Sequence, residues 1–257
     1  MRKIFRSMVF FTGMGVGIFS VSGEEIFQPG EALVVVDFEN LGEGEDITQR
    51  DADAWTGNEG AVGATPMMPE VNASKMTLRA PGEERRVLFS NLQTLGASGE
   101  VTKLFFSAWI YLEVGGGAGA RVQIATDNSV GSSADGKLGG FGIVDVSGNK
   151  FAMYVVEPGQ QTGRWIQSDT KAESKTWYEV ALVVELNRES PEDSVGHLYI
   201  RNLTYGETDF TPVPDLMNVP LNWYIEGFTA EDFGYFRVEN FRNAQLDNLT
   251  VGHAEGQ

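Results

Sequence analysis

The segment KLFFSAWIYLEV, residues 103–114, has the residue pattern of a long β-strand. It is rich in aromatic and aliphatic residues and contains neither glycine nor proline, a composition that favours strands. Successive side chains of a strand point to opposite faces, so one face would be apolar and the other mixed. The apolar face consists of Phe106, Ala108, Ile110 and Leu112, and the mixed face of Phe105, Ser107, Trp109 and Tyr111. The segment therefore predicts a sheet that turns one face toward a core.

Similar patterns recur along the chain, for example TWYEVALVVEL (176–186), GHLYIRNL (196–203) and GYFRVENF (234–241). Clusters of Gly, Ser, Asn and Asp separate these patterns, as is typical of turns. No long stretch has apolar residues at helical spacing. About a dozen short strands spaced in this way predict an all-β fold, a two-sheet antiparallel jelly-roll β-sandwich.

The start of the chain has the features of a secretory signal peptide. A basic beginning precedes an apolar run from Met8, which ends in small residues just before Glu24. The alternative is a membrane anchor, but the run is short and interrupted by glycine. We therefore expect a signal peptide at 1–23, a single jelly-roll domain at 24–252 and a C-terminal tail at 253–257. The mature protein would be secreted, periplasmic or part of the cell envelope, with no membrane span.

Charge and composition exclude several classes of function. The chain has a formal net charge of −17, which becomes −20 when the three basic residues Arg2, Lys3 and Arg6 are removed. Such an acidic surface repels nucleic acid. The absence of cysteine excludes disulfides and thiol catalysis.

Four segments together resemble a known superfamily: VVVDFEN (34–40), KLFFSAWIYLE (103–113), KTWYEVALVVELN (175–187) and AQLDNLTV (244–251). Their order is similar to that of the concanavalin A-like lectin/glucanase superfamily, specifically the LamG-type jelly rolls of secreted bacterial proteins. The resemblance implies a jelly roll. It leaves the function open among glycan binding, enzymatic activity and a structural role, since all three occur on this fold.

The mixed faces of several strands suggest a surface for carbohydrate. Aromatic rings stack on the C–H faces of sugars, and amides or charged groups bind hydroxyls. We expect the strands near 103–114, 119–126 and 195–202 to form one concave sheet, although these polar faces would equally suit contact with water. The predicted glycan-binding residues are Trp109, Tyr111, Arg121, Gln123, Tyr199 and Arg201.

The two terminal strand patterns contain acids and suggest a structural Ca²⁺ site. The first and last strands of a jelly roll commonly lie side by side, which would bring Asp37 and Glu39 near Asp247. Carboxylate oxygens are ligands that Ca²⁺ prefers, and calcium between the chain ends is common in carbohydrate-binding jelly rolls that resemble this one. The alternative is that Asp247 and Asn248 form a bulge or turn.

Enzymatic alternatives are less well supported by the sequence. No strand has the paired acids of the superfamily's glucanases. The jelly-roll alginate lyases use an Arg strand, a Gln-Ile-His strand and a Tyr-Phe-Lys strand, which Arg79, Gln123-Ile124-Ala125 and Tyr235-Phe236-Arg237 match loosely. Ala125 stands where these lyases have histidine, so we assign no catalytic residue. The first hypothesis is a secreted, non-catalytic module for glycan binding or adhesion; the alternatives are a lyase of uronate polymers and a purely structural extracellular protein.

Overall fold

The computed structural model describes residues 27–39, 42–43, 45, 55–57, 63–71, 74–79, 87–91, 103–113, 119–125, 137–144, 148–156, 163–187, 190, 193–221, 235–239 and 243–255. The predicted signal peptide, residues 1–23, lies outside this set. Within the described part of the chain, no helix is long and apolar enough to cross a bilayer.

The described strands form two antiparallel sheets, which confirms the predicted β-sandwich. The first sheet contains β1 (Gln28–Val36), β3 (Gly63–Val71), β4 (Ser74–Arg79), β6 (Lys103–Leu112), β11 (Trp177–Glu185), β12 (Val195–Asn202), β13 (Thr211–Pro212), β14 (Val219–Pro220) and β16 (Ala244–Glu255). The second contains β2 (Trp55–Gly57), β5 (Val87–Asn91), β7 (Ala120–Ala125), β8 (Lys137–Val144), β9 (Lys150–Val156), β10 (Gly163–Lys171) and β15 (Tyr235–Glu239).

The strand order shows how distant parts of the chain meet. In the first sheet it is β13-β12-β11-β6-β16-β4-β3, with β1 also paired to β16 and β14 to β12; in the second it is β10-β9-β8-β7-β15-β5-β2. The tight link between β8 and β9 has Asn149 at φ 45° and pairs Val144 with Lys150. Sequence neighbours thus pair in hairpins, whereas β7 and β15 meet across more than a hundred residues.

The core lies between the inner faces of the two sheets. The apolar residues of β6 predicted to face a core are fully buried there. Phe106 of the first sheet meets Phe236 of the second edge to face, with ring centres 6.3 Å apart. Burying such side chains is the main source of stability in a sandwich.

The pairing of the two chain ends explains the Asp247-Asn248 pair near the end of the chain. β1 and β16 do lie side by side, with Val36 opposite Leu249. β16 also contacts β4, where Leu246 lies opposite Leu78. At the change of partner from β4 to β1, the register shifts after Asp247 and Asn248 adopts φ 44°. The bulge that was the alternative interpretation of this pair is therefore present.

One boundary prediction is wrong. Strand β16 continues to Glu255, and His253 lies opposite Leu104 of β6. Residues 253–255, expected to begin the tail, therefore belong to the first sheet, because His253 pairs with β6 and Ala254 and Glu255 pair with β1.

A polar clamp joins the second sheet to the segment after β12. The carboxylate of Asp215, in the 3-10 helix Pro214–Leu216, accepts hydrogen bonds from the Ser168 hydroxyl (2.5 Å) and the Asp169 N–H (2.7 Å) of β10. Burial alone would raise the pKa of Asp215, but these hydrogen bonds and the charge of Lys150 lower it below its ordinary value.

Candidate functional site

The predicted glycan-binding residues lie on two different sheets. Trp109 and Tyr111 belong to β6 and Tyr199 and Arg201 to β12, both in the first sheet, whereas Arg121 and Gln123 lie on β7 of the second sheet. The expectation that these strands form one concave sheet is wrong. The chain crosses from one sheet to the other between β6 and β7, and alternation along a strand carries no information about which sheet it joins.

Tyr199 faces a small apolar cluster on the outer side of the first sheet. Its ring lies 5.1 Å from that of Phe27, and Phe27 lies 4.9 Å from Phe210. Phe105, Ala181 and Val183 are the other buried members of this cluster. Only 4% of Tyr199 is exposed, so its ring is covered by other parts of the chain.

Arg201 belongs to a polar network beside that cluster. Its Nε donates to Glu179 Oε2 at 2.8 Å, and its guanidinium lies 4.6 Å from the ring centre of Phe210. The Ser107 hydroxyl donates to the other oxygen of Glu179 at 3.0 Å. Glu179 and Ser107 are buried, and these contacts fix the position of Arg201.

Trp109 and Tyr111 are half-buried at one end of the same face. They pack against the fully buried Trp177 and against Leu203, and the rings of Tyr111 and Trp177 are 5.3 Å apart. Trp109 lies between Glu179 and Asp247 in register. Much of the surface of both rings is thus used in packing.

A different group of side chains converges on the outer face of the second sheet. Arg237 of β15 lies opposite Gln123 of β7 and donates to its side-chain carbonyl at 2.7 Å. Nη2 of Arg237 also lies 3.2 Å from Glu239. All three residues are buried, and a buried arginine held by several acceptors has a well-defined direction.

Two aromatic residues continue this row on the far side of β8. Gln123 lies opposite Gly140, Gly140 opposite Tyr154, and Tyr154 opposite Trp165 of β10. The rings of Tyr154 and Trp165 are 5.4 Å apart, and the Tyr154 hydroxyl accepts the N–H of Gly163 at 3.0 Å. Burial raises the pKa of Tyr154, and that hydrogen bond offsets only part of the increase.

Between the two groups, β8 has glycine at two positions of this face. Gly140 and Gly142 of β8 both lie there, and Gly142 lies opposite Ala152 of β9. A Cβ at Gly140 would lie 2.6 Å from the carbonyl oxygen of Val122, and one at Gly142 only 2.3 Å from that of Ala120. The close approach of β8 to β7 therefore requires glycine at both positions.

Arg121 connects the polar and the aromatic groups. Its Nη1 lies 3.7 Å from Glu239, and its guanidinium carbon lies 5.3 Å from the ring centre of Trp165. The outer face of the second sheet thus combines two arginines, a carboxylate, an amide and two aromatic rings. We call this set the second-sheet site; its residues are Arg121, Gln123, Tyr154, Trp165, Arg237 and Glu239.

Sequence reasoning did not assign four of these six residues, Tyr154, Trp165, Arg237 and Glu239, to a glycan site, although Arg237 belongs to a segment that resembles the alginate lyases. Arg237 and Glu239 alternate with Phe236 and Val238 in YFRVE, and Trp165 alternates with Ile166 in a short pattern. The two-residue alternation indicates on which face of its strand each of these side chains lies. Only the pairing of β15 with β7 and of β10 with β9 brings them to Gln123.

The pairing of β1 with β16 brings the predicted metal ligands into the same region of the first sheet, but their surroundings differ. Asp37 and Glu39 are exposed just after β1, and Asp37 accepts the N–H of Glu39 at 3.3 Å. Asp247 is fully buried in the sheet. Among the residues described, no group of three His, Cys, Asp or Glu side chains is arranged to hold a metal ion.

Comparison with known proteins supports the fold. The chain is similar to the marine PL-14 alginate lyase from Aplysia kurodai, with a TM-score of 0.57 and 9% identity over 87% of this chain and 100% of that one. An alginate lyase from a Chlorella virus gives 0.48 at 12% identity, over 87% of this chain and 100% of that chain. A carbohydrate esterase from the bacteriophage phi24B gives 0.49 at 12%, over 87% and 98%.

At such identities the first likeness shows the fold alone, a two-sheet β-sandwich, and the two structures with TM-scores below 0.5 add nothing to it. No protein-family model matches the chain, and no curated protein matches it. The concanavalin A-like superfamily and its LamG subdivision stay predictions.

Proposed function

We propose that the protein is a secreted, non-catalytic, polysaccharide-binding β-sandwich and that its ligand lies across the second-sheet site. The observation that carries the proposal is the contact between Arg121 and Trp165, the two members of the site that are partly exposed. The buried row of Arg237, Gln123, Gly140 and Tyr154 lies beside them in the same sheet.

This arrangement matches what a sugar chain requires. Apolar C–H faces of pyranose rings pack on aromatic rings, while guanidinium and amide groups bind hydroxyl or carboxylate oxygens. The fold shared with an alginate lyase at a TM-score of 0.57 is compatible with a polysaccharide ligand.

A lyase of uronate polymers is the second candidate, because β7 and β15 are direct neighbours. Gln123 lies opposite Arg237 and Ala125 opposite Tyr235, so two of the three segments that resemble the alginate lyases meet in space. Arg79, in contrast, ends β4 in the first sheet. Ala125 supplies no proton-transfer group, and the raised pKa of Tyr154 disfavours a phenolate base.

The proposal is tested with a glycan array followed by calorimetry on the mature chain. Trp165→Ala should abolish measurable binding, whereas Trp109→Ala, a matched change on the first sheet, should change affinity by less than about threefold. Binding that survives Trp165→Ala but is lost in Trp109→Ala contradicts this location. If the intact protein binds no glycan, the purely structural role is favoured.

The lyase alternative has a separate readout. Elimination from a uronate polymer creates a double bond that is conjugated with the carboxylate. This product absorbs ultraviolet light at about 235 nm, where the intact polymer is transparent. We expect no such increase with alginate or glucuronan. An increase that disappears in Gln123→Ala would replace the binding proposal with the lyase.

We also propose, from the pairing of β1 with β16, that calcium binds near Asp37, Glu39 and Asp247. The described residues alone do not complete such a site, so the acidic segment at 43–53 would have to contribute. Calcium at a hundred times its dissociation constant would stabilise the fold by about 2.7 kcal/mol. A melting curve that is the same in calcium and in chelator would refute the idea, and Asp37→Asn should weaken any calcium response.

A further inference from the structure

The side chains of Arg121 and Trp165 meet across two strands of the second sheet. Arg121 lies on β7 opposite Gly142 of β8, and Gly142 lies opposite Ala152 of β9. Trp165 lies one strand farther, on β10, yet its ring centre is 5.3 Å from the guanidinium carbon of Arg121. The arginine therefore extends over β8, and the indole extends from β10 over β9 to meet it.

The residues beneath this side chain make the crossing possible. Gly142 has no side chain and Ala152 has only a methyl group, so no bulky side chain at these two positions stands in the way of Arg121. Larger residues at these positions would lift or block the arginine. The contact thus depends on the same glycines that the approach of β8 to β7 requires.

Arg121 and Arg237 differ in their access to solvent. The side chain of Arg121 is 25% exposed and that of Arg237 only 2%. Arg237 is held by Gln123 and Glu239 at 2.7 and 3.2 Å, whereas Arg121 lies 3.7 Å from Glu239. Because Arg121 is the more exposed of these two arginines, it is the one that a ligand can reach.

We propose that in the free protein Arg121 occupies the position on Trp165 that a sugar ring takes in the complex, and that Arg121 thereby selects glycans that carry an anionic group. This inference rests on the proposed function. A guanidinium and a pyranose C–H face both bind the face of an indole, and they cannot share it. A sugar ring must therefore displace Arg121 before it stacks.

The charge of the ligand decides how unfavourable this displacement is. An anionic group on the sugar gives the displaced guanidinium a charge-assisted partner that replaces the indole. A neutral sugar offers only hydroxyl groups, so the lost contact is less well compensated. Because an exposed cation–π contact is weak, the selection should amount to about a twofold to fivefold difference in affinity.

The contact itself is tested without any ligand, by acrylamide quenching of tryptophan fluorescence. The contribution of Trp165 is the difference between the intact protein and Trp165→Phe. Arg121→Ala should increase the quenching of Trp165, because it uncovers the indole, and Arg164→Ala should not, although it removes the same charge from β10. Unchanged quenching in a folded Arg121→Ala protein overturns the proposal.

The selection is tested by calorimetry with two oligosaccharides of the same ring and linkage, one of β-1,4-linked glucuronate and one of β-1,4-linked glucose. In Arg121→Ala, the ratio of affinities for the anionic over the neutral ligand should fall by about twofold to fivefold, with the neutral ligand bound more tightly. Arg121→Met, which keeps the length without the charge, should lose the preference while still covering Trp165.

The outcomes separate this inference from the proposed function. An unchanged ratio in Arg121→Ala, or a loss of neutral binding as large as in Trp165→Ala, overturns the selection while glycan binding stands. If the intact protein binds neither oligosaccharide nor any glycan on the array, the proposed function and the selection are both refuted. In that case the quenching experiment tests only the contact between Arg121 and Trp165 in the free protein.

Discussion

The outer faces of the two sheets have similar sequence patterns and different structures. On the first sheet, aromatic residues such as Phe105 and Tyr199 are packed under Phe27 and Phe210. On the second sheet, Arg121, Tyr154 and Trp165 lie across a strip of glycine and alanine. Alternation identified both faces as turned away from the core. Tyr199 of the first sheet is 4% exposed, whereas Arg121 and Trp165 of the second sheet stay partly exposed beside the buried Tyr154 and Gln123. Distant segments therefore decide how much of such a face remains accessible.

The covered face should give the largest loss of stability on mutation. Phe105→Ala removes a buried ring that packs 5.7 Å from Phe27, and we expect the free energy of unfolding to fall by about 3 kcal/mol. Urea denaturation measures this loss, and glycan affinity of the folded fraction should be unchanged. A loss below about 1 kcal/mol would show that the cluster contributes little.

Mutation of the polar network of the first sheet should cause the next-largest loss of stability. Glu179→Ala leaves Arg201 and Ser107 without their shared acceptor and should lower the free energy of unfolding by about 2 kcal/mol. Glu179→Gln retains a carbonyl acceptor and should lose less. If either variant reduced glycan affinity tenfold, the assignment of this network to structure rather than to binding would be wrong.

Gly140→Ala tests whether stability and binding coincide on the second sheet. The added Cβ would lie 2.6 Å from the carbonyl oxygen of Val122 and 3.0 Å from Cγ of Gln123. We expect a loss of about 1–2 kcal/mol in unfolding experiments together with weaker glycan binding. Ala152→Gly, which removes a methyl group from the same face, is the control and should leave the approach of β8 to β7 intact. Normal affinity in Gly140→Ala would place the ligand elsewhere.

The smallest expected effect is the change of stability with pH that arises from the hydrogen bonds of Asp215 to Ser168 and Asp169. The folded-state pKa of Asp215 is lowered, so its stabilising contribution is complete above the ordinary aspartate pKa of about 3.9 and is lost as pH falls through the folded value. Because Asp215 is largely exposed, we expect less than about 1 kcal/mol. The free energy of unfolding of Asp215→Asn should fall less steeply at acid pH than that of the intact protein. If both proteins lose stability equally as the pH falls, Asp215 does not make this contribution.

The strands themselves were predictable because their signals are local. KLFFSAWIYL and WYEVALVVE form β6 and β11, close to the predicted bounds, and the burial of Phe106 and Ile110 follows their alternation. The end of β16 was not predictable from GHAE, because His253 is held by its pairing with Leu104. Non-local pairing supplies structure where local propensity is weak.

The site was predictable only in part, for the same reason. Gln123 and Arg121 were identified from the alternation of β7. Their partners Arg237 and Trp165 come from β15 and β10, and the sequence does not reveal that these strands belong to the sheet of β7. Tyr199 was predicted to bind glycan from the same kind of alternation, and its burial under Phe27 depends on a segment more than 170 residues away.

Amide hydrogen exchange with and without a bound oligosaccharide tests the central claim most directly, because it locates the ligand on one sheet or the other. With the glycan of highest affinity on the array, we predict slower exchange in β7, β8, β9 and β10 and unchanged exchange in β6 and β12. Slower exchange confined to β6 and β12, around Trp109 and Arg201, would contradict the account and move the site to the outer face of the first sheet.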